Sequence, residues 1–209
     1  MERYLEFDNK ESLERYVFNM GCIKLGEGSE GLAYRTRDNN IVKISNGVFR
    51  NAIDASKKDE IIMKQDFDLE SFMFPKQLFI SEGVIAGYIA DFFPKDLFRF
   101  GKIDFTFGSI KDLNINNFTK AREKFIKDAM VLTDAKILLY DLPFNILYDK
   151  HKLAAIDTLG YYKDDTISLD EQIKRIDYAL LSEIGLYAMD FNPDFDQSYE
   201  QNLKRIRTI

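Results

Sequence analysis

Apolar and polar positions along the chain change period near its middle, and the change predicts two regions of different character. Asp8-Asn9-Lys10-Glu11 opens a short polar helix reaching about Asn19, with Asp8 and Glu11 spaced as a capping box. From Met20 to Ile44 the pattern becomes strand-like. Met20 to Leu25 leads into a glycine turn, then Leu32 to Arg37, the turn Asp38-Asn39-Asn40, and Ile41 to Ile44. Residues 53–65 read as helix. Lys76 to Ser81 and Val84 to Phe92 form a hairpin through Glu82-Gly83, and Phe92-Phe93-Pro94-Lys95-Asp96 breaks the strand in the manner of a hinge. Beyond it Phe118, Phe125, Ile126, Ala129 and Met130 recur at helical spacing, with Asn116 or Asn117 as the cap. Two short strands follow, Asn145 to Tyr148 and Leu153 to Ile156. Ser168-Leu169-Asp170-Glu171 then caps a helix carrying Ile173, Ile176, Leu180, Leu181, Ile184 and Tyr187, and Asp196 to Ile206 forms a last helix. The class expected is α+β, with a strand-rich region over 1–93 and a mainly helical one over 94–209.

Composition narrows the function classes. Of 209 residues, 45% are hydrophobic and 31% charged, enough for a real core in one large domain or two small lobes. A net charge of -6 disfavours nucleic acid and anionic membrane as partners, and Lys204-Arg205-Arg207 reads as a solvated helix end. The single cysteine, Cys22, excludes an internal disulfide, fits a reducing compartment and suits a packing role. The one histidine, His151, sits in the turn Asp149-Lys150-His151-Lys152, so a histidine zinc site or a serine–histidine triad is not expected. No apolar run is long enough to span a bilayer, and Met1-Glu2-Arg3-Tyr4 lacks signal-peptide features, so a cytoplasmic location is expected.

Candidate chemistry begins with Gly26-Glu27-Gly28-Ser29-Glu30-Gly31. Gly31 is followed by the partly alternating Leu32-Ala33-Tyr34-Arg35-Thr36-Arg37, which reads as a β-hairpin rather than the helix of a dinucleotide fold. Such a hairpin lets backbone N–H groups close over phosphates, or is simply a flexible turn. Lys43 lies within the apolar run Ile41-Val42-Lys43-Ile44, where a lysine needs a partner or a path to water. It is either an edge lysine facing solvent or a cation for α- and β-phosphates, oriented by Glu60, with Asp59 as the second choice. Further on, Asp141 stands in a Pro-containing loop before one strand, and Asp157 ends the next. The turn between those strands brings Asn145 near Asp157, a hard-oxygen pair suited to Mg²⁺, and leaves Asp141 to accept a hydroxyl proton. The alternative is that Asp141 and Asn145 cap turns while Asp157 ends a strand.

In this order the residues resemble the protein kinase-like superfamily, especially its small atypical bacterial and phage members, from about Met20 to Tyr161. The resemblance implies a bilobal fold, with an N-terminal lobe over 1–93 and a reduced helical C-terminal lobe over 94–209. It implies ATP held under Gly26, Gly28, Ser29 and Gly31, with Lys43 as the phosphate lysine and Glu60 as its helix partner. Ile89, Asp91 and Phe92 fall in the implied hinge, whose backbone would pair with adenine. Asp141 matches the catalytic Asp, Asn145 the loop Asn and Asp157 the metal Asp. The implied activity is ATP- and Mg²⁺-dependent phosphoryl transfer to a protein or small-molecule hydroxyl. Only Leu142, Pro143 and Phe144 separate Asp141 from Asn145, one fewer than the family pattern, and no Ala-Pro-Glu signature appears. These departures motivate an alternative, a pseudokinase-type binding or regulatory module without turnover. The missing peptide platform also fits a small-molecule kinase of the aminoglycoside type, and a non-nucleotide interaction protein is the remaining reading. The sequence holds 18 Phe and 11 Tyr; Phe92, Phe93, Phe98, Phe100, Phe105 and Phe107 read as core.

Overall fold

A computed structural model describes residues 2–28, 31–45, 53–93, 98–99, 114–142 and 145–183. Ser29, Pro94 to Asp96, Phe100, Phe105, Phe107, Pro143, Phe144, Ile184, Tyr187, the helix expected over Asp196 to Ile206 and the basic tail lie outside them. The described residues are α+β, with a six-stranded sheet, two small sheets and four helices. The chain divides into two compact units. The first holds residues 1–68 and 73–92, the second 69–72 and 93–209. No helix among the described residues is long and apolar enough to cross a membrane.

The first unit contains β1 (Tyr4–Phe7), α1 (Lys10–Asn19), β2 (Ile23–Glu27), β3 (Gly31–Arg35), β4 (Asn40–Ser45), α2 (Lys58–Met63), β5 (Gln77–Ser81) and β6 (Val84–Asp91). Its strand order is β1-β5-β6-β4-β3-β2, antiparallel except for β1, which runs parallel to β5 from Tyr4 opposite Leu78 to Phe7 opposite Ser81. That first strand has no counterpart in the sequence reading. Helix α1 is capped one residue later than its charge spacing suggests. Asn9 accepts from the Ser12 N–H at 2.9 Å and Ser12 returns the bond, so Asn9 and Ser12 form the box in place of Asp8 and Glu11. One stripe of α1, Leu13 and Val17, is buried against Val42, Ile44, Phe79 and Ile89 of the sheet, with Cys22 half-buried at its edge. The helix expected over 53–65 is shorter, with α2 flanked by 3₁₀ turns at Ala55–Lys57 and Lys64–Asp66.

The second unit is built on α3 (Ile115–Asp134) and α4 (Leu169–Glu183), with short strands β7 (Phe98–Arg99), β8 (Ile137–Leu138), β9 (Ile146–Tyr148), β10 (Leu153–Ala155) and β11 (Tyr162–Lys163). Asn114 caps α3 by accepting from the Asn117 N–H at 3.1 Å, rather than Asn116 or Asn117 acting as the cap. Phe118, Phe125 and Ala129 face inward as their spacing predicts, while Met130 is exposed. Ser168 caps α4 through the Glu171 N–H at 3.2 Å. The two helices are tied by a bidentate pair, Arg122 to Asp177, both bonds 2.7 Å and both side chains 17% exposed. Residues 69–72 join this unit through sequence-distant contacts. Ser71 donates its N–H to Asp128 at 3.0 Å and accepts from the Ala155 N–H at 2.8 Å, and Phe72 packs 4.8 Å from Phe125.

Candidate functional site

The glycine-rich stretch of the first unit separates into two kinds of glycine. Gly26 lies within β2 and pairs with Ala33, next to an irregularity in the β2–β3 register. The hairpin closes through the Gly28 N–H donating to the Gly31 carbonyl at 2.9 Å. A Cβ at Gly31 would stand 2.1 Å from the Ile44 carbonyl oxygen, so the approach of β3 to β4 demands glycine there. A Cβ at Gly26 or Gly28 would meet nothing within 4 Å, and neither has a positive φ. The sheet therefore gives no reason for those two glycines.

Lys43 is central in β4, opposite Ala33 of β3 and Tyr88 of β6. Alternation sends its side chain to the face opposite Val42 and Ile44, away from α1. It is half-buried. The two carboxylates weighed as its orienting partner, both exposed on α2, have contacts of their own. Asp59 accepts from the Tyr4 hydroxyl, which raises the tyrosine pKa. Glu60 acts on Lys64, a turn further along, which is only 4% exposed. Burial lowers the Lys64 ammonium to about 8, and Glu60 opposes that shift. Ile89 is buried in the α1-facing core, and its carbonyl accepts the Lys76 N–H at 2.7 Å. Asp91, at the exposed end of β6, holds the Lys76 ammonium. Phe92 donates its N–H to the Asn39 carbonyl at 3.3 Å, and Arg35 lies 4.4 Å from its ring centre. Ser29 lies outside the described residues.

In the second unit the acidic candidates come together. Strands β9 and β10 pair antiparallel, Ile146 opposite Ala155 and Tyr148 opposite Leu153. Asp149 closes the turn by accepting from the His151 N–H at 2.9 Å and the Lys152 N–H at 2.6 Å. One further bond, Ile156 N–H to the Asn145 carbonyl at 2.8 Å, extends the ladder to the residue before Asp157. Asn145 Nδ2 donates to the Asp141 carbonyl at 2.8 Å and to Asp141 Oδ2 at 3.3 Å, leaving its Oδ1 as the atom suited to a metal. Asp141 (φ 52°) and Asp157 (φ 60°) both adopt left-handed backbone, which is unusual for a side chain with a Cβ. Asn39, Glu82, Lys136 and Lys150 share that conformation at turns, so it is not peculiar to the acidic pair. Tyr161 is buried beside these carboxylates. Its hydroxyl pKa is raised first by burial, then by Asp157 and then by Asp141. Among the described residues no three His, Cys, Asp or Glu side chains gather as a metal site. A divalent ion here would have Asp157 and Asn145 as protein ligands and draw the rest from phosphates and water, as Mg²⁺ often does.

Sequence reading passed over Gln172. Fully buried on α4, it accepts the Leu139 N–H at 3.2 Å and donates to the Ile137 carbonyl at 2.8 Å. It thereby clamps the backbone that leads to Asp141. Its only signal in the sequence is a polar residue on the apolar stripe formed with Ile176 and Ala179. No protein-family profile matches the chain, and no curated protein matches it.

Proposed function

We propose that the protein is an ATP- and Mg²⁺-dependent phosphotransferase of protein kinase-like, bilobal type, acting on a hydroxyl acceptor. The observation that carries the reading is the Asp141–Asn145–Asp157 cluster, in which the Asn145 amide engages Asp141 while its backbone is paired to the residue before Asp157. In this reading Asp141 takes the proton, and Asp157 with Asn145 Oδ1 takes the metal. The first unit supports the same reading. A glycine hairpin joins the first two strands of an antiparallel meander, and the lysine stands on the third, as in kinases. Gly26, Gly28, Ser29 and Gly31 would cover the phosphates, Lys43 would contact them, and residues from Ile89 to Phe92 would flank adenine. Catalysis would rest on positioning and on charge stabilisation by metal and lysine.

Thermal-shift titration with ATP and Mg²⁺ tests this on wild type, Lys43→Ala and Asp157→Asn. The expected result is a rise in melting temperature for wild type that both variants lose, with transfer of label from γ-labelled ATP lost also in Asp141→Asn. An unchanged melting temperature in wild type at millimolar nucleotide rejects the reading. The shortened Asp141–Asn145 loop favours a second reading, a nucleotide-binding regulatory module. It predicts the same melting shift with no transfer to any acceptor.

A further inference from the structure

Next to the Asp141 loop lies a cavity of about 510 Å³, within the range of small-molecule sites. Leu139 and Leu142 form its apolar wall on one side, with Asp141 between them in sequence. The other side is a single stripe of α4, Glu171, Lys174, Arg175 and Tyr178, residues spaced three and four apart. The charges of that stripe are not equivalent. Arg175 is bonded to Glu171 at 2.8 Å, so the two largely neutralise one another. Lys174 forms no ion pair among the described residues. The cavity thus holds two carboxylates, Asp141 at one wall and Glu171 tied to Arg175 on the helix, one ammonium outside that pair, Lys174, and an apolar and aromatic lining of Leu139, Leu142 and Tyr178.

We propose that this cavity is the acceptor site, and that it takes a small alcohol bearing one anionic group, a carboxylate or phosphate. The hydroxyl sits at Asp141, the anionic group on Lys174 and the carbon skeleton against Tyr178 and the leucines. This rests on the phosphotransferase reading. In the step itself Asp141 accepts the hydroxyl proton and the acceptor oxygen bonds to the γ-phosphorus of ATP. The bond from that phosphorus to the β–γ bridging oxygen breaks, releasing ADP. Charge complementarity selects the acceptor, because a neutral alcohol leaves Lys174 solvated and gains only the apolar wall. A volume of about 510 Å³ suits a metabolite-sized ligand.

The test uses the full chain and two matched probe pairs, 4-hydroxyphenylacetate with tyrosol and glycerol 3-phosphate with glycerol. Binding is measured without nucleotide by ligand-observed NMR, and ADP release is measured with ATP and Mg²⁺. The anionic member of at least one pair should bind about fivefold more tightly than its neutral partner, the upper range for an exposed ion pair. It should also raise ADP release. Lys174→Glu should erase the preference while keeping the wild-type melting shift with ATP, because the residue is exposed and is not among those proposed to hold the nucleotide. Equal binding of charged and neutral members, no binding of any probe, or a preference that survives Lys174→Glu overturns the proposal. Binding of an acidic serine peptide where every small probe fails overturns the small-molecule class. A Lys174-dependent preference without any ATP-induced melting shift rejects the phosphotransferase reading and leaves an anion-binding cavity. The ATP shift without the preference rejects the acceptor assignment alone.

Discussion

In the first unit, two of the groups proposed to meet a nucleotide, Gly26 and Gly28, stand in the hairpin of an edge strand whose packing does not depend on them. Gly26 and Gly28 touch no neighbour with the space a Cβ would fill. In the second unit, Asn145 bonds to Asp141 through its side chain and ends the β9–β10 ladder through its carbonyl, which takes the Ile156 N–H one residue before Asp157, while Gln172 anchors the backbone ahead of Asp141. The difference teaches where chemistry and stability can be separated by mutation. Changes at the glycine hairpin should alter ligand binding with little loss of fold, except at Gly31. Changes around Asp141 should move both at once, because the groups proposed to react are also structural hydrogen-bond partners.

The largest expected effect tests the exception. Gly31→Ala places a methyl group 2.1 Å from a backbone carbonyl oxygen that cannot retreat without parting β3 from β4. We expect a loss of about 4 kcal/mol in urea unfolding, at the upper end for single substitutions. Gly28→Ala should stay within about 0.5 kcal/mol, as surface changes usually do. It should nonetheless weaken the ATP-induced melting shift. Equal stability of the two variants would dissolve the distinction between scaffold glycine and ligand-facing glycine.

Gln172→Leu probes the second unit in the same way. It keeps the volume roughly but strands the Leu139 N–H and the Ile137 carbonyl, both bonded to Gln172 in a buried setting. Two unmet buried backbone groups cost about 3 kcal/mol together. Hydrogen exchange at the Leu139 amide should accelerate, and label transfer should fall further than stability alone explains, because the loop carrying Asp141 loses its clamp. Unchanged exchange at Leu139 would mean that the loop is held by other bonds.

Sequence legibility divides along similar lines. Strands β3, β4, β5 and β6 follow from the turn chemistry between them, and Glu82-Gly83 does turn the chain, with φ of 51° and 75°. Stripes on α3 and α4 are readable from spacing because burial is set by helix geometry, whereas α1 reads as polar although Leu13 and Val17 bury one side of it. What escaped notice depends on distant partners. Tyr4–Phe7 becomes a strand only because β5 offers a parallel edge, and four residues carry too little pattern to announce it. Leu69 to Phe72 look like part of the preceding region, yet belong to the second unit through Asp128, Ala155 and Phe125. At the candidate site, the antiparallel pairing that joins Asn145 to Ile156 is readable from the turn between their strands. The clamp by Gln172 is not, since its partners are main-chain groups more than thirty residues away.

Lys64 marks a smaller contrast between the units. The second unit half-buries the ion pair of Arg122 and Asp177, and the first buries Lys64 more deeply, where burial lowers its pKa from 10.5 to about 8 against the opposing pull of Glu60. The folded state therefore releases this proton more readily than the unfolded state. Between about pH 8 and 10.5 the unfolded chain binds more protons, so this residue's contribution to stability rises with pH and its penalty is fullest below 8. Lys64→Met should stabilise by about 2 kcal/mol at pH 7, within the roughly 3 kcal/mol that the shift represents. The gain should shrink steadily toward pH 10. A gain independent of pH would show that packing, not the buried charge, separates the two proteins.

The smallest effect concerns which of two adjacent residues caps α1, the helix whose inner stripe backs the sheet carrying Lys43. Charge spacing favours Asp8 with Glu11, but Asn9 takes the role. Its extended backbone, φ -162° and ψ 172°, aims the side chain at the Ser12 N–H. An N-cap needs that non-helical geometry as well as an acceptor, and adjacency in sequence to a polar run does not reveal which residue has it. Asn9→Ala should cost about 1 kcal/mol, the usual loss for such a cap. Asp8→Ala should cost only a few tenths, since it removes a charge near the helix start and no bond. Because α1 packs through Leu13 and Val17 on the face opposite Lys43, neither change should alter the ATP-induced melting shift relative to each variant's own baseline. If Asn9→Ala reduced that shift, the first unit would couple its helix to the groups proposed to meet a nucleotide, and the separation of fold from chemistry argued for this unit would fail.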